Sequence, residues 1–213
     1  MKRIGIYGGS FDPVHRGHLL IGRRVREQFG LDELVFMPAC QAPHKRRSRP
    51  TAAIDRYTML CLATEADASL RVSRLEIERP DHPYTFETLT TLKSDLPNDR
   101  IFFVMGADSW ADITTWFRWE DLLALADHIV VTRPGHQIAT DHVPCEVRDR
   151  IVDCRGVERA EIRGTASIYF TDAVNVDISA TRIRSRAAAG DDSWRSDVPE
   201  NVANYIEKYQ IYS

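Results

Sequence analysis

Two histidines set three residues apart follow a glycine pair near the start of the chain. The run from Gly8 to His18, Gly-Gly-Ser-Phe-Asp-Pro-Val-His-Arg-Gly-His, comes directly after a strand-like segment, Arg3–Tyr7. The glycines let the backbone approach a ligand closely, and the Asp-Pro pair favours a turn before a helix start. His15 and His18 then share one face beside free N–H groups and the positive end of a helix dipole. Such a pair can stabilise charge on a phosphoryl group in transfer, which predicts a site for nucleotide phosphates.

Other polar segments also follow predicted strands. The loop 38–50 is basic, the segment 106–108 begins with glycine, and Arg133 follows an apolar run. Ligands of parallel sheets bind beyond the carboxyl ends of the strands, so one crevice could gather these segments with the histidine pair.

The alternation of strands and helices predicts an α/β fold, a doubly wound, Rossmann-like parallel sheet with a small helical part at about 178–213. We expect 1–213 to form a single domain. Predicted strands cover 3–7, 34–37, 70–72 with a possible extension to 77, 101–105, 128–132 and 168–170. Three predicted helices run from the histidine pair to Gly30, over 120–126 and over 199–209. Three others begin at a predicted N-cap: they run from Thr51 through Cys61, from Thr85 through Leu92 and from Ser179 to about Gly190. The charged segment 136–165 is expected to hold at least one helix.

Composition favours a protein that binds small phosphorylated ligands. The 213 residues carry a net charge of -3, which does not suggest broad contact with nucleic acid. Because no signal peptide or membrane-length apolar run is recognisable, we expect a cytoplasmic protein without a membrane partner.

The four cysteines form no CxxC pair, so zinc and disulfides are not expected, and Cys61 is predicted to be buried.

The chain resembles bacterial nicotinate-nucleotide adenylyltransferases, which belong to the HxGH nucleotidyltransferase superfamily. The resemblance spans nearly the whole chain, and several motifs occur in the same order. They are the run from Gly8 to His18, Pro43-His-Lys45, Asp55-Arg-Tyr-Thr-Met59, Pro83-Tyr-Thr-Phe-Glu-Thr-Leu89, Gly106-Ala-Asp108, Trp116-Phe117, Arg133-Pro-Gly135, Ile178-Ser-Ala-Thr-Arg-Ile-Arg184 and the ending from Val198 to Tyr212.

Three departures from the family pattern are visible. Ala42 and Ala180 stand where relatives carry proline and serine, and Pro83-Tyr-Thr-Phe-Glu-Thr-Leu stands for a Ser-Tyr-Thr-x-Asp-Thr-Leu motif. Ala180 removes one hydroxyl from a phosphate-binding turn, so we expect an altered affinity and a retained reaction.

The resemblance implies adenylyl transfer from ATP to nicotinate mononucleotide, giving nicotinate adenine dinucleotide and pyrophosphate without a covalent enzyme intermediate. Mg²⁺ is implied as cofactor, held mainly by ATP phosphates and water, with no metal site on the protein itself. A homo-oligomer is possible. The implied catalytic residues are His15, His18, Lys45 and Arg184. The implied ATP contacts are Gly8, Gly9, Ser10, Phe11, His44, Ser179 and Thr181, and the implied mononucleotide contacts are Thr85, Asp108, Trp116, Phe117 and Arg133.

The residues alone leave several alternatives open. The loop with Lys45 could be an ordinary solvated basic loop, Ser179 a plain N-cap, Asp108 a helix cap and Trp116-Phe117 part of the core. Rival functions are a phosphopantetheine adenylyltransferase, a preference for nicotinamide mononucleotide, and a catalytically silent nucleotide sensor. A class I tRNA synthetase would need anticodon-binding parts for which the chain has no room.

Overall fold

The fold is built from alternating strands and helices. The computed structural model describes residues 1–40, 51–79, 84–132, 138–164, 166–172, 174 and 178–212. Its strands are Arg3–Gly9 (β1), Glu33–Pro38 (β2), Leu70–Val72 (β3), Arg100–Gly106 (β4), Asp127–Val131 (β5), Ile151–Asp153 (β6) and Ile168–Thr171 (β7). Its α-helices are Arg16–Phe29 (α1), Ala53–Thr64 (α2), Thr85–Asp95 (α3), Ala107–Ala111 (α4), Trp119–Leu125 (α5), Cys145–Arg148 (α6), Ala180–Ala188 (α7) and Glu200–Lys208 (α8), with 3-10 turns at Ile113–Thr115 and Asp192–Asp197.

The described strands form one sheet in the order β3-β2-β1-β4-β5-β7-β6, and each pairing is parallel. Strands β4 and β5 are almost wholly buried, as apolar strands covered on both faces must be. The order of strands along the chain reverses between β1 and β4. This topology confirms the predicted doubly wound α/β fold, and the reversal marks the edge where such sheets bind ligands.

The strand register brings the ends of the central strands level with one another. Gly9 pairs with Pro38 at the end of β2, and Gly106 at the end of β4 pairs with Val131. The segments that leave these strands therefore emerge at the same edge of the sheet, beside the reversal of strand order.

Helices cover both faces of the sheet and bury two apolar clusters. One cluster includes Phe29 of α1, Met59 of α2 and Val202 of α8, and the other includes Leu89 of α3 and Leu122 of α5. Burying side chains of this size stabilises the fold by about 1.5–3 kcal/mol each. Helix α8 packs on α2, so the last described helix shares a core with the sheet. That residues 1–213 form a single domain stays a prediction. Among the described helices none is both long and apolar enough to cross a membrane.

Two predicted N-caps are wrong by one residue. Ala52 occupies the N-cap position of α2, because Thr51 donates its N–H to the Asp12 carboxylate and its carbonyl accepts a hydrogen bond from Arg56. Tyr84 occupies the N-cap position of α3, and the Glu87 carboxylate accepts its N–H at 3.0 Å.

Other local predictions also need correction. Strand β3 ends at Val72, because the Ser73 hydroxyl accepts the N–H of Leu75 and turns the chain. Cys61 is only half-buried, whereas Cys154 is buried. The segment 136–165 does hold a helix, α6, but it also holds β6, an edge strand of three residues that was not predicted.

Candidate active site

The glycine pair at the end of β1 makes room for aromatic rings. A Cβ on Gly8 would lie 2.8 Å from the Phe103 ring, and one on Gly9 would lie 2.9 Å from the Phe11 ring. Phe11 is buried with φ at 48°, a left-handed conformation that costs free energy in a bulky residue. Its ring packs edge-on against His18 with centroids 5.0 Å apart. The strained loop therefore places an apolar support beside the second histidine.

The two histidines cap the helix that follows. His15 is the N-cap of α1, and the His18 N–H donates to its Nδ1 at 3.4 Å. The His15 N–H donates in return to Nδ1 of His18 at 3.3 Å, and the rings stack with centroids 3.6 Å apart. Because each Nδ1 accepts a backbone proton, the neutral rings carry their own proton on Nε2. The pair thus presents two N–H donors at the positive end of a 14-residue helix.

Burial keeps both histidines neutral near pH 7. It lowers the pKa of His15 to about 4, and it lowers the pKa of His18 well below the usual range with a further contribution from the charge of His15. A neutral imidazole that donates from Nε2 can hydrogen-bond a phosphate oxygen without first losing or gaining a proton.

Arg184 joins α7 to the loop before the histidines. Its guanidinium donates to the Asp12 carbonyl at 2.6 Å, and Asp12 lies three residues before His15. It also reaches the Thr181 hydroxyl, at 3.4 Å. Ser179 is the N-cap of α7 but makes no side-chain hydrogen bond to the described helix, so the first N–H groups of α7 have no capping side chain from it. We call Gly8–His18 with the α7 start, residues 179–184, the histidine region.

The buried Arg56 side chain binds the backbone of the loops next to the histidine region. The sequence did not predict this role. The side chain is 1 % exposed and donates to four carbonyl oxygens, those of Ser10, Ala39, Cys40 and Thr51, at 2.7–3.0 Å. Burial lowers the pKa of Arg56, and the charge of Asp12 opposes that shift. A guanidinium so bound fixes the ends of β1 and β2 relative to α2.

A second group of side chains lies where α3 meets the segment before α5. Tyr84 and Phe117 stack with centroids 4.7 Å apart, and both rings are exposed. The Arg118 guanidinium lies 4.2 Å from the Phe86 ring centroid. Trp116 is half-buried and packs edge-on against Phe103. We call Tyr84–Phe86 with Trp116–Arg118 the aromatic region.

Phe103 connects the two regions. Its ring lies against Gly8 on one side and 6.4 Å from the Trp116 ring on another. Asp108 is exposed in the first turn of α4, directly after β4, on the same edge of the sheet. Thr85 is the first residue of α3, next to the stacked Tyr84. Trp116 is therefore linked to Gly8 of the histidine region through the Phe103 ring, while Thr85 and Phe117 lie beside it in the aromatic region.

The remaining predicted residues, His44, Lys45 and Arg133, lie outside the described residues. Within the described ranges no three His, Cys, Asp or Glu side chains are grouped as metal ligands. The structure adds four residues that the sequence did not predict as part of the site. They are Asp12, Arg56, Tyr84 and Tyr212, whose hydroxyl donates to the Asp12 carboxylate.

Comparisons with known proteins give the family of the chain. A family described as cytidylyltransferase-like matches residues 6–186. A Bacillus subtilis protein named nicotinate-nucleotide adenylyltransferase is 34 % identical over 212 residues, covering 100 % of this chain and 99 % of its own. A Mycolicibacterium vanbaalenii protein named "Probable nicotinate-nucleotide adenylyltransferase" is 36 % identical over 211 residues, 99 % of this chain and 92 % of its own. The structure of Plasmodium falciparum nicotinic acid mononucleotide adenylyltransferase complexed with NaAD has a similar fold, with a TM-score of 0.73, 20 % identity and coverage of 100 % and 98 % of the two chains.

Proposed function

We propose that this chain transfers AMP from ATP to nicotinate mononucleotide. The chain belongs to the cytidylyltransferase-like family, and within that family to the nicotinate-nucleotide adenylyltransferases. A phosphate oxygen of the mononucleotide forms a bond to the α-phosphorus of ATP. The bond from that phosphorus to the bridging oxygen breaks, and pyrophosphate leaves. The attacking phosphate is already an anion, so the protein has to align two negative reactants and stabilise charge on the α-phosphoryl oxygens.

The contact of Arg184 with the Asp12 carbonyl is the observation that carries the proposal. It brings α7 within reach of the loop that leads to His15, although the two segments are 172 residues apart. A triphosphate between them would meet the N–H groups at the starts of α1 and α7 and one guanidinium. Gly8, Gly9, Ser10 and Phe11 would offer backbone contacts, and Ser179 and Thr181 would offer hydroxyls.

In this proposal His18 is the main stabiliser of the transition state. Its Nε2–H donates to an α-phosphoryl oxygen while the stacked His15 contacts a neighbouring phosphate. Because both rings are neutral and held by backbone N–H groups, they need no reorganisation as the charge develops. Lys45 and His44 are proposed to reach the phosphates from their loop.

The aromatic region is proposed to bind the mononucleotide. Trp116 would stack on the electron-poor pyridine ring. Thr85 and its neighbours lie at the start of α3, an 11-residue helix whose positive end favours a carboxylate over a neutral amide. Asp108 is proposed to accept a hydrogen bond from a hydroxyl of the mononucleotide. Arg133 and Phe117 are proposed as further contacts of the mononucleotide.

Mg²⁺ fits this arrangement as a partner of the substrate. The described residues present no ligand cage, and the Asp12 carboxylate already accepts hydrogen bonds from Tyr212 and Thr51. The ion would be held by the triphosphate and water, where it neutralises phosphate charge. His15, His18 and Arg184 then supply the directional hydrogen bonds.

The proposal is tested with the purified full chain, ATP, Mg²⁺ and each pyridine mononucleotide in turn. We expect nicotinate mononucleotide to give the dinucleotide and pyrophosphate in equal amounts, measured by chromatography and a coupled pyrophosphate assay. A preference for nicotinamide mononucleotide would contradict the proposed role of the α3 start. ATP binding without a dinucleotide product from either substrate would contradict the reaction and favour a nucleotide sensor.

A further inference from the structure

The segment after α8 returns to the loop that carries the histidines. The Tyr212 hydroxyl donates to Oδ1 of Asp12 at 2.6 Å, across 200 residues of sequence. Ile211 and Tyr212 also pack on the apolar cluster formed with α1 and α2. Burial, together with the adjacent Asp12 carboxylate, raises the pKa of Tyr212, so the phenol remains a proton donor at neutral pH.

Asp12 is the point where four segments meet. Its carboxylate is buried, with Oδ1 bonded to Tyr212 and Oδ2 accepting the Thr51 N–H at 3.2 Å. Its main-chain carbonyl accepts the Arg184 guanidinium at 2.6 Å. The hydroxyl of Tyr212 therefore acts on the same residue that orients Arg184 and that precedes the His15 cap.

Removal of the hydroxyl would leave a buried carboxylate oxygen without its side-chain donor. Arg56 compensates the charge of Asp12, but its N–H groups are directed to carbonyl oxygens of the surrounding loops. A buried carboxylate that loses a donor rearranges toward water or another partner. Any such movement of Asp12 shifts its carbonyl, and with it Arg184.

We propose that Tyr212 is a positioning residue for adenylyl transfer. It holds the loop that contains Asp12, between β1 and α1, so that His15, His18 and Arg184 face the same triphosphate. This inference rests on the proposed function in that ATP is the ligand of the histidine region. Tyr212 itself needs no contact with substrate.

The chain contains a matched control for this role. The Tyr205 hydroxyl donates to Oδ1 of Asp55 at 2.8 Å and joins α8 to α2 rather than to Asp12. Both pairs are tyrosine–aspartate bonds that connect the end of the chain to the core. A purely structural contribution would make Tyr212→Phe and Tyr205→Phe behave alike.

The experiment compares Tyr212→Phe, Tyr205→Phe and the unchanged protein. Urea unfolding measures stability, steady-state kinetics measures kcat and both KM values, and calorimetry measures the Kd of ATP with Mg²⁺. For Tyr212→Phe we expect kcat to fall about tenfold, with a higher Kd for ATP and an unchanged KM for nicotinate mononucleotide. For Tyr205→Phe we expect reduced stability with kcat within about twofold of the unchanged protein.

Equal losses of kcat in the two variants would overturn the inference, as would a Tyr212→Phe protein with unchanged kcat and unchanged Kd. If the unchanged protein binds ATP but makes no dinucleotide, the proposed reaction fails, and the Kd comparison alone then decides the role of Tyr212.

A double-mutant cycle with Asp12→Asn adds a second, independent measurement. If the hydroxyl acts through Asp12, the losses in kcat/KM for ATP from Tyr212→Phe and Asp12→Asn are not additive. Strict additivity would show that Tyr212 acts by another route and would overturn the proposal.

Discussion

The histidine region and the aromatic region of the candidate site are built in different ways. In the histidine region the two imidazoles are held by reciprocal hydrogen bonds to backbone N–H groups, and Arg56 binds four carbonyl oxygens of the adjoining loops. In the aromatic region the side chains are exposed rings that stack on one another, such as Tyr84 and Phe117. The histidines are thus held by hydrogen bonds, whereas the exposed rings of the aromatic region are held mainly by stacking.

This difference follows from what each region is proposed to do. Stabilising charge in a transition state requires donors whose positions are set in advance, because reorganisation during the reaction raises the barrier. Binding a flat pyridine ring requires area more than fixed polar geometry. We therefore expect changes in the histidine region to lower kcat and changes in the aromatic region to raise one Kd or KM.

The largest effect is expected from His18→Asn. The asparagine carbonyl can replace Nδ1 as acceptor of the His15 N–H and keep the helix cap, but no group replaces Nε2. We expect kcat to fall about 10²–10³-fold, the loss typical of one donor to a developing oxyanion, with little change in the Kd of ATP. Steady-state kinetics and calorimetry on the same preparation measure the two quantities.

His18→Gln is the matched variant, because its terminal amide can reach the position of Nε2. Partial recovery of kcat relative to His18→Asn is expected. A His18→Asn protein with an unchanged kcat and a raised KM for ATP would mean that the ring only binds the ground state.

A smaller effect is expected from Trp116→Ala in the aromatic region. Loss of a stacking surface should weaken nicotinate mononucleotide binding by about 1–3 kcal/mol and leave ATP binding unchanged. Calorimetric titration of each ligand measures the difference. Trp119→Ala, a partly buried tryptophan that packs on the same apolar cluster, controls for loss of packing. Equal weakening of both ligands in Trp116→Ala would remove the distinction between the regions.

The smallest effect concerns the stability of the scaffold of the aromatic region as the pH rises through neutrality. Glu76 accepts the hydroxyl of Thr88 in α3 at 2.9 Å, and burial raises its pKa to about 7 from the usual 4.5. Because the folded state holds this proton more tightly, its contribution to stability is present below pH 4.5 and is lost as the pH rises through 7. Between pH 6 and 8 the free energy of unfolding is expected to fall by about 1.4 kcal/mol, which corresponds to one pKa unit.

Glu76→Gln should remove this part of the pH dependence, as measured by urea unfolding at pH 6 and pH 8. Glu78→Gln changes an exposed carboxylate paired with Arg74 and serves as control. If Glu76→Gln lost as much stability between the two pH values as the unchanged protein, the carboxyl would not be the titrating group.

Local signals in the sequence predicted the bounds of α1 correctly. The start of α1 at the histidine pair and its end at Gly30, which adopts φ of 57°, follow from capping chemistry that involves near neighbours. The parallel sheet follows from apolar runs such as Ile101–Met105. The Tyr84 cap was missed, although Glu87 three residues later is the signal of a capping box.

Long-range polar contacts could not be predicted in the same way. Arg56 looks like a surface residue of a helix in the sequence, yet it is buried because carbonyls from two distant loops surround it. Tyr212 and Asp12 are 200 residues apart and share no periodic pattern. Strand β6 was missed because three residues in a charged segment carry too little hydrophobic signal, and pairing with β7 stabilises it.

The proposed triphosphate site can be tested by a crystal structure of the protein with a non-hydrolysable ATP analogue and Mg²⁺. We expect phosphate density between the imidazoles of His15 and His18 and the Arg184 guanidinium, with His18 Nε2 within about 3 Å of an α-phosphoryl oxygen. A triphosphate bound elsewhere on the molecule, or one that contacts Arg184 but neither histidine, would contradict it.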